Sequence, residues 1–277
     1  MKILLIVMVC LLLVCLFYLL MIMPRILHKP DMEPFVGRLY AHRGLHDNAS
    51  DAPENSLRAF EKAAESGFGI ELDVQMTKDG IPVVFHDFTL KRICGAEGKV
   101  CDHTLEELRQ FPLCGTDQRI PTFEEALKLI DGRVPLIVEL KIERLDTAVC
   151  GAADRLLSGY RGLYCIESFH PLALLWYRRN RPEIVRGQLS DAFYKEGYRG
   201  TVYFTLQNLL FNWLGKPDFV AYHHIYPDIL SRRICRGIYG NTAAAWTIKS
   251  EKELQAAREY FDMYIFDSFL PKREAEA

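Results

Sequence analysis

Polar and apolar positions divide the chain into two unlike parts. Residues 3–23, ILLIVMVCLLLVCLFYLLMIM, form an uninterrupted apolar run. At about 1.5 Å per residue such a run crosses a hydrocarbon core about 30 Å thick. A cleaved signal peptide has a shorter apolar region, about 7–15 residues, followed by a small-x-small site. Here the run passes into Met21-Ile22-Met23-Pro24-Arg25, and Val14 is too bulky before Cys15 for a lipoprotein signal. The pattern predicts an uncleaved transmembrane anchor over 1–24, then a linker over 25–37 carrying Pro30 and Pro34.

From residue 38 onward, strand-like and helix-like segments alternate. Strands are predicted at 38–41, 69–74, 82–85, 134–140, 163–166, 184–188, 219–222, 243–247 and 263–266. Helices fall near 56–66, 122–129, 146–158, 171–180, 227–236 and 251–260, and Thr122-Phe-Glu-Glu and Ser250-Glu-Lys-Glu have the form of capping boxes. Alternation of this kind implies a parallel sheet with crossover helices. Short strands, near eight in number, favour an α/β fold of the TIM (β/α)8 barrel type over 38–277. A doubly wound open sheet is the rival, and no G-x-G-x-x-G or P-loop turn supports a nucleotide-binding version of it. Residues 87–119 break the rhythm with Gly95, Gly98 and Gly115 and form a small loop-rich insertion. The stretch 201–219, rich in Leu, Phe and Trp, is either a barrel helix or an interfacial one.

Charge alters little. The 34 basic and 36 acidic side chains give a net charge of −2, so nothing points to nucleic acid. Of eight cysteines, Cys10 and Cys15 lie in the apolar run and six are scattered without a CxxC, unlike a disulfide scaffold. Lys2 precedes the run, whereas Arg25, Lys29 and Arg38 follow it, an asymmetry that favours a cytoplasmic catalytic domain on a single-pass anchor.

The chemistry lies at strand ends. In GIELDVQMT, Glu71 and Asp73 sit two apart and therefore point to one side of a strand. Glu139 and Lys141 repeat that spacing at the end of VPLIVELK; His42-Arg43 follows the first strand and His86-Asp87 the third. In a barrel, all C-terminal strand ends meet at one rim. Glu71, Asp73 and Glu139 suit a hard divalent cation, Mg²⁺ or Ca²⁺, with Mn²⁺ as another candidate. The alternative is a structural salt-bridge network with Arg43 and Lys141. His42 and His86 are candidate general acid and base, and Arg43 and Lys141 suit an anionic substrate such as a phosphate.

These residues fall in ordered motifs. AHRG, PENSLRAF, ELDVQMTKDG and FHD occur between Ala41 and Asp87; IPTFEEAL, VELK, ESFH and AWTIK follow. Over residues 39–271 the chain resembles the glycerophosphodiester phosphodiesterase family. The resemblance implies a TIM barrel with a small insertion that hydrolyses glycerophosphodiesters to sn-glycerol 3-phosphate and an alcohol. It implies Glu71, Asp73 and Glu139 as metal ligands, His42 and His86 as the acid–base pair, and Arg43 and Lys141 near the phosphate. Glu54 and Asn55 fall on the P-E-N motif behind the site, and Trp246 matches an aromatic that lines the pocket; Phe169 either forms an apolar pocket wall with Trp246 or, like it, fills the barrel core. Two departures, Lys249 for a usual Asn and Phe266 within IFD, are expected to bear on substrate fit and not on the metal or acid–base groups. Phe266 either joins the apolar pocket wall or fills the core. Two other readings remain: a lysophospholipase D-type hydrolase acting on membrane lipid, and a degenerate, non-catalytic membrane-bound binding protein.

Overall fold

Strands whose residues are apolar on both sides need cover on both faces, which a parallel sheet wrapped in helices supplies. The computed structural model describes residues 1–143 and 145–272, so the last five residues of the 38–277 domain lie outside the described residues. Nine strands form one sheet: β1 (Leu39–His42), β2 (Gly69–Met76), β3 (Pro82–Val84), β4 (Leu136–Leu140), β5 (Tyr164–Ser168), β6 (Arg186–Ser190), β7 (Phe219–His223), β8 (Thr242–Ile248) and β9 (Met263–Phe266). All neighbours pair in parallel except β3. Pairing of β1 with both β2 and β9 closes the ring, so eight parallel strands make a TIM barrel and the open-sheet alternative falls.

Helices cover the outside of the barrel, packing apolar faces against it. In Phe123–Ile130 the buried residues are Phe123, Ala126, Leu127 and Ile130, and Thr122 and Glu125 form the expected capping box. At Ser250 only half the box forms: Ser250 accepts from Glu253 N–H, while the Glu253 side chain turns to the Lys249 N–H. One core lies between barrel and helices, and Phe266 belongs to it, edge-on to Phe68. A second lies inside the barrel, where Tyr40, Ile137, Phe219 and Met263 meet. Gly187 permits this layer, because a Cβ there would stand 2.2 Å from the Phe219 ring.

Three segments depart from the sequence pattern. β3 is not a barrel strand: it runs antiparallel to the overhanging end of β2, with Val74 opposite Val84. A period-2 apolar run looks the same in either direction, so the pattern could not tell hairpin from barrel strand. The insertion after it has its own small core of Val83, Phe85, Leu90, Ile93 and Leu108. Residues 201–219 form two short helices, Thr201–Gln207 and Asn212–Gly215, broken where Leu209 takes φ 56°.

The apolar run is a helix, Lys2–Ile22, long and apolar enough to cross a membrane. Its end is held by the barrel: the Ile22 carbonyl accepts from Asn212 Nδ2 at 3.1 Å and Cys235 Sγ at 3.3 Å. Segment 25–37 packs under the barrel as a strap. Arg25 N–H donates to the Pro217 carbonyl, Lys29 Nζ to those of Tyr239 and Gly240, and Gly37 N–H to that of Asp262. Phe35 is buried in the inner barrel core.

Candidate active site

Barrel register gathers the acidic residues. Asp73 on β2 pairs with Glu139 on β4, which pairs with Glu167 on β5; His42 on β1 pairs with Glu71 on β2. Paired residues of parallel neighbours face the same side. Four carboxylates thus converge, each at most 6% exposed, and ligand oxygens of Glu71, Asp73 and Glu139 all lie within 4.8 Å of one another. Glu167, in the ESFH motif at the end of a strand, was missed as a candidate even though its strand-end position could have flagged it.

Two cations stand among the four acids. Lys141 Nζ is 2.9 Å from Glu139 Oε1 and 3.3 Å from Asp73 Oδ1, and Arg43 Nε is 3.6 Å from Asp73 Oδ2. Arg43 adopts φ 56°, a left-handed conformation costly for a side-chain-bearing residue, and this aims its backbone N–H at Glu71 Oε2, 3.0 Å away. Asn55, also left-handed at φ 57°, donates from Nδ2 to Asp73 Oδ2 at 2.9 Å. Fully ionised, the cluster of four carboxylates, one lysine and one arginine carries two surplus negative charges. Its electrostatics show the strain. Burial, then repulsion from Asp73, Glu139 and Glu167, pushes the Glu71 carboxyl well above its ordinary range. Burial likewise raises Glu139 and Glu167. Burial opposes the charge of Asp73 as well, yet Lys141, His86 and Arg43 together hold its carboxyl below the usual range. Asp73 Oδ1 and Glu167 Oε2 are buried without a hydrogen bond. Surplus charge of two, hard oxygen donors and a buried Glu167 Oε2 without a hydrogen bond fit a divalent cation.

Both histidines are braced by acids. His86 Nδ1 lies 2.6 Å from Asp87 Oδ1, leaving Nε2 as the free ring nitrogen. His86 does not come from a barrel-strand end, as expected; it follows the β3 hairpin, whose Phe85 N–H donates to the Asp73 carbonyl and so folds His86 back over the cluster. His42 Nδ1 lies 3.3 Å from Asp267 Oδ2, and its Nε2 is 4.0 Å from Glu71 Oε2. Burial, then the Arg43 charge, lowers the His42 pKa to about 4 despite the counter-pull of Asp267. Phe266, the departing residue of IFD, packs in the outer core, whereas its neighbour Asp267, which the sequence did not single out, does reach the acid–base set: β9 pairs with β1 and brings Asp267 onto His42 and His46.

The cavity above, about 460 Å³, is lined by His42, Arg43, Glu54, Glu71, His86, Glu139, Glu167, Phe169, Trp246 and Lys249. Phe169 and Trp246 meet edge-on at 5.7 Å, and His223 stacks on the far side of Trp246. Asn55 and Asp73 lie buried behind this wall, and Lys141 lines the neighbouring cavities. Glu54 ties the site to the insertion: it takes Arg43 Nη1 at 2.8 Å and both Nη atoms of Arg92 at 2.7 Å. Arg92 also clamps Asp87, the partner of His86, and nothing in the local sequence marked it.

Known proteins resemble this chain in sequence and fold. The sequence model of the Glycerophosphoryl diester phosphodiesterase family matches residues 42–261. Glycerophosphodiester phosphodiesterase 1 of Mus musculus is 42% identical over 83% of this chain and 76% of its own length. A glycerophosphodiester phosphodiesterase of Caldanaerobacter subterraneus is 35% identical over 54% of this chain and 65% of its own. Among solved structures, an Oleispira antarctica phosphodiesterase in complex with the product sn-glycerol-3-phosphate superposes with TM-score 0.69 at 27% identity, covering 84% of this chain and 94% of that one. The Thermotoga maritima glycerophosphodiester phosphodiesterase gives TM-score 0.62 at 26% identity, covering 83% and 94%. The chain belongs to the glycerophosphoryl diester phosphodiesterase family, whose members are phosphodiester-cleaving enzymes.

Proposed function

We propose that the protein hydrolyses glycerophosphodiesters to sn-glycerol 3-phosphate and an alcohol, with a divalent cation held by Glu71, Asp73 and Glu139. The buried carboxylate cluster, with two surplus negative charges when fully ionised, carries this reading. The cation, when bound, offsets negative charge on the phosphoryl oxygens as it develops. Glu71, Asp73 and Glu139 would hold it, with Asn55 and the Arg43 N–H fixing the orientation of Asp73 and Glu71. Arg43, which lines the cavity, supplies positive charge for the phosphate in the planar geometry that grips two oxygens, and Lys141, paired with Glu139 and Asp73, adds charge beside the same cluster.

His42 is the group that takes a proton from the attacking oxygen. Its depressed pKa keeps Nε2 free to accept near neutral pH, and Asp267 at Nδ1 fixes that tautomer. As the new O–P bond forms and the old ester O–P bond breaks, His86 Nε2 delivers a proton to the leaving alkoxide, with Asp87 bracing its ring. Phe169 and Trp246 wall the side on which the ester branch rests. On this reading the Lys2–Ile22 helix is a single-pass membrane anchor, and the basic residues after it favour a cytoplasmic barrel. Incubation of the full chain with glycerophosphocholine tests the reaction. Release of sn-glycerol 3-phosphate and choline, lost in His42→Ala and His86→Ala by at least about 100-fold, is expected. Full activity in either variant rejects the acid–base assignment, and absence of turnover across a panel of headgroups rejects the reaction.

A further inference from the structure

The end of the apolar helix is seated on one sector of the barrel wall. Its last turn lies against the short helix Asn212–Gly215, which precedes β7, and the helix Leu230–Gly237, which precedes β8. Besides the two bonds to the Ile22 carbonyl, the Tyr239 hydroxyl donates to the Leu19 carbonyl at 2.9 Å and Lys216 Nζ to that of Met23 at 3.2 Å. Tyr18 stands beside Ser231 and Cys235. Residues 18–23 belong to the apolar run itself. At a rise of about 1.5 Å per residue they span roughly its last 8 Å, so whatever touches them lies at the edge of the hydrocarbon.

That sector is unlike the rest of the surface. Val202, Phe204, Trp213, Ile225, Leu230 and Ile238 are all exposed, Val202 by 66% and Ile238 by 67%. Elsewhere among the described residues from 38 onward, tyrosines aside, only Leu145 and Leu270 are large apolar side chains so exposed. A concentration of open apolar surface marks a contact site. Charge is biased in the same place. Between 195 and 238 six basic side chains stand against three acidic ones, on a chain whose net charge is −2. Lys195, Arg199 and Arg233 among them are exposed. Tryptophan with basic side chains suits the headgroup layer of an anionic bilayer.

We infer that the barrel wall between β6 and β8 is a second membrane contact, lying in the headgroup layer of an anionic bilayer beside the apolar helix. Val202, Trp213, Leu230 and Ile238 enter the boundary, and Arg199 and Arg233 meet lipid phosphates. This rests on the reading of Lys2–Ile22 as an anchor and extends it from a tether to a docked face. Continuity with the helix selects a bilayer over a protein partner, because the wall and the last helical turn share one depth. A barrel held at two places does not swing on its tether, and its catalytic rim keeps one height above the headgroups.

The full chain is placed in nanodiscs of phosphatidylcholine with or without phosphatidylserine. It carries p-benzoylphenylalanine at Val202, Leu230 or Ile238, at Leu12 within the anchor, or at the exposed Lys128 on the opposite wall. Illumination joins the probe to whatever lies against it. Lipid adducts at each of the three wall positions are expected at least about tenfold above Lys128, since an interfacial surface buries its apolar face about 5–10 Å into the boundary. Phosphatidylserine should raise the wall yields. Arg199→Glu with Arg233→Glu should cancel that rise, each basic residue near an anionic surface being worth about fivefold. Adducts at Leu12 with wall yields no higher than Lys128 overturn the inference and leave the anchor standing. Wall adducts without any at Leu12 support the contact and reject the anchor. Adducts to a second copy of the chain at the wall positions overturn the inference in favour of a dimer face. Wall yields indifferent to phosphatidylserine overturn the choice of an anionic surface.

Discussion

Asp267→Asn probes the contact that the sequence least foretold. Asp267 Oδ2 stands 3.3 Å from His42 Nδ1 and Oδ1 stands 3.3 Å from His46 Nε2. An asparagine is nearly isosteric, but only one of its terminal atoms accepts. If its oxygen faces His42, geometry survives and a charge-assisted hydrogen bond becomes a neutral one. That change is worth roughly 1–1.5 kcal/mol, or about tenfold in rate. If its NH2 faces His42, Nδ1 must become the acceptor, Nε2 carries the proton, and the base is lost; general acid–base contributions of roughly 10²–10⁴-fold then disappear. The expected result is a kcat lowered at least about tenfold with KM little changed. The pH profile supplies an independent readout. His42 is lowered to about 4 by burial and Arg43, while Asp267 pulls it upward. Removing Asp267 therefore moves the acid limb of kcat/KM to still lower pH while the plateau falls. The assay is glycerol 3-phosphate release from glycerophosphocholine between about pH 2.5 and pH 9, so that the acid limb of both proteins falls inside the range. A variant within twofold of wild type at neutral pH, or an acid limb moved upward, refutes the role given to Asp267.

Two further outcomes follow from packing and charge. Burial favours the neutral form of Glu54, yet hydrogen bonds from Arg92 and Asn48 and the charge of Arg43 bring its pKa to about 2 against an ordinary 4.5. The folded-state pKa is depressed, so its contribution, up to about 3 kcal/mol, is complete above about pH 4.5 and is lost as pH falls toward 2. Urea melts across that window should show Glu54→Gln less stable at pH 7 and flatter in acid; parallel curves for both proteins contradict the pairing. A chain beginning at Arg25 loses the fully buried Ile22 and the carbonyl that Asn212 and Cys235 share, whereas one beginning at Phe17 keeps them. The shorter chain should be less stable by about 2 kcal/mol, read from denaturant midpoints, and equal midpoints refute a structural role for the end of the helix.

What was legible in the sequence was whatever depends on short spacing. The two-residue spacing of Glu71 and Asp73 put both acids on one face, and alternation of strands with capped helices such as Phe123–Ile130 gave the barrel. What was not legible depends on closure. Asp267 reaches His42 only because β9 pairs with β1 across the length of the chain, and no local pattern encodes that meeting. Arg92 reaches Glu54 and Asp87 only once the insertion folds on its own core. The hairpin of β3 escaped because strand periodicity carries no direction. Segment 25–37 resembled a linker by its prolines, yet Phe35 is buried in the inner barrel core and hydrogen bonds from Arg25, Lys29 and Gly37 tie the segment to the barrel.

The central claim is that Glu71, Asp73 and Glu139 cradle a divalent cation on which hydrolysis depends. Its most direct test is metal content against turnover. The full chain is stripped with chelator, titrated with Mg²⁺, Ca²⁺ or Mn²⁺, and followed for bound metal and for sn-glycerol 3-phosphate release, beside Glu71→Gln and Glu139→Gln. The account predicts about one tightly bound ion per chain, activity that rises with its occupancy, and loss of both in the variants. Undiminished hydrolysis by metal-free protein would contradict it.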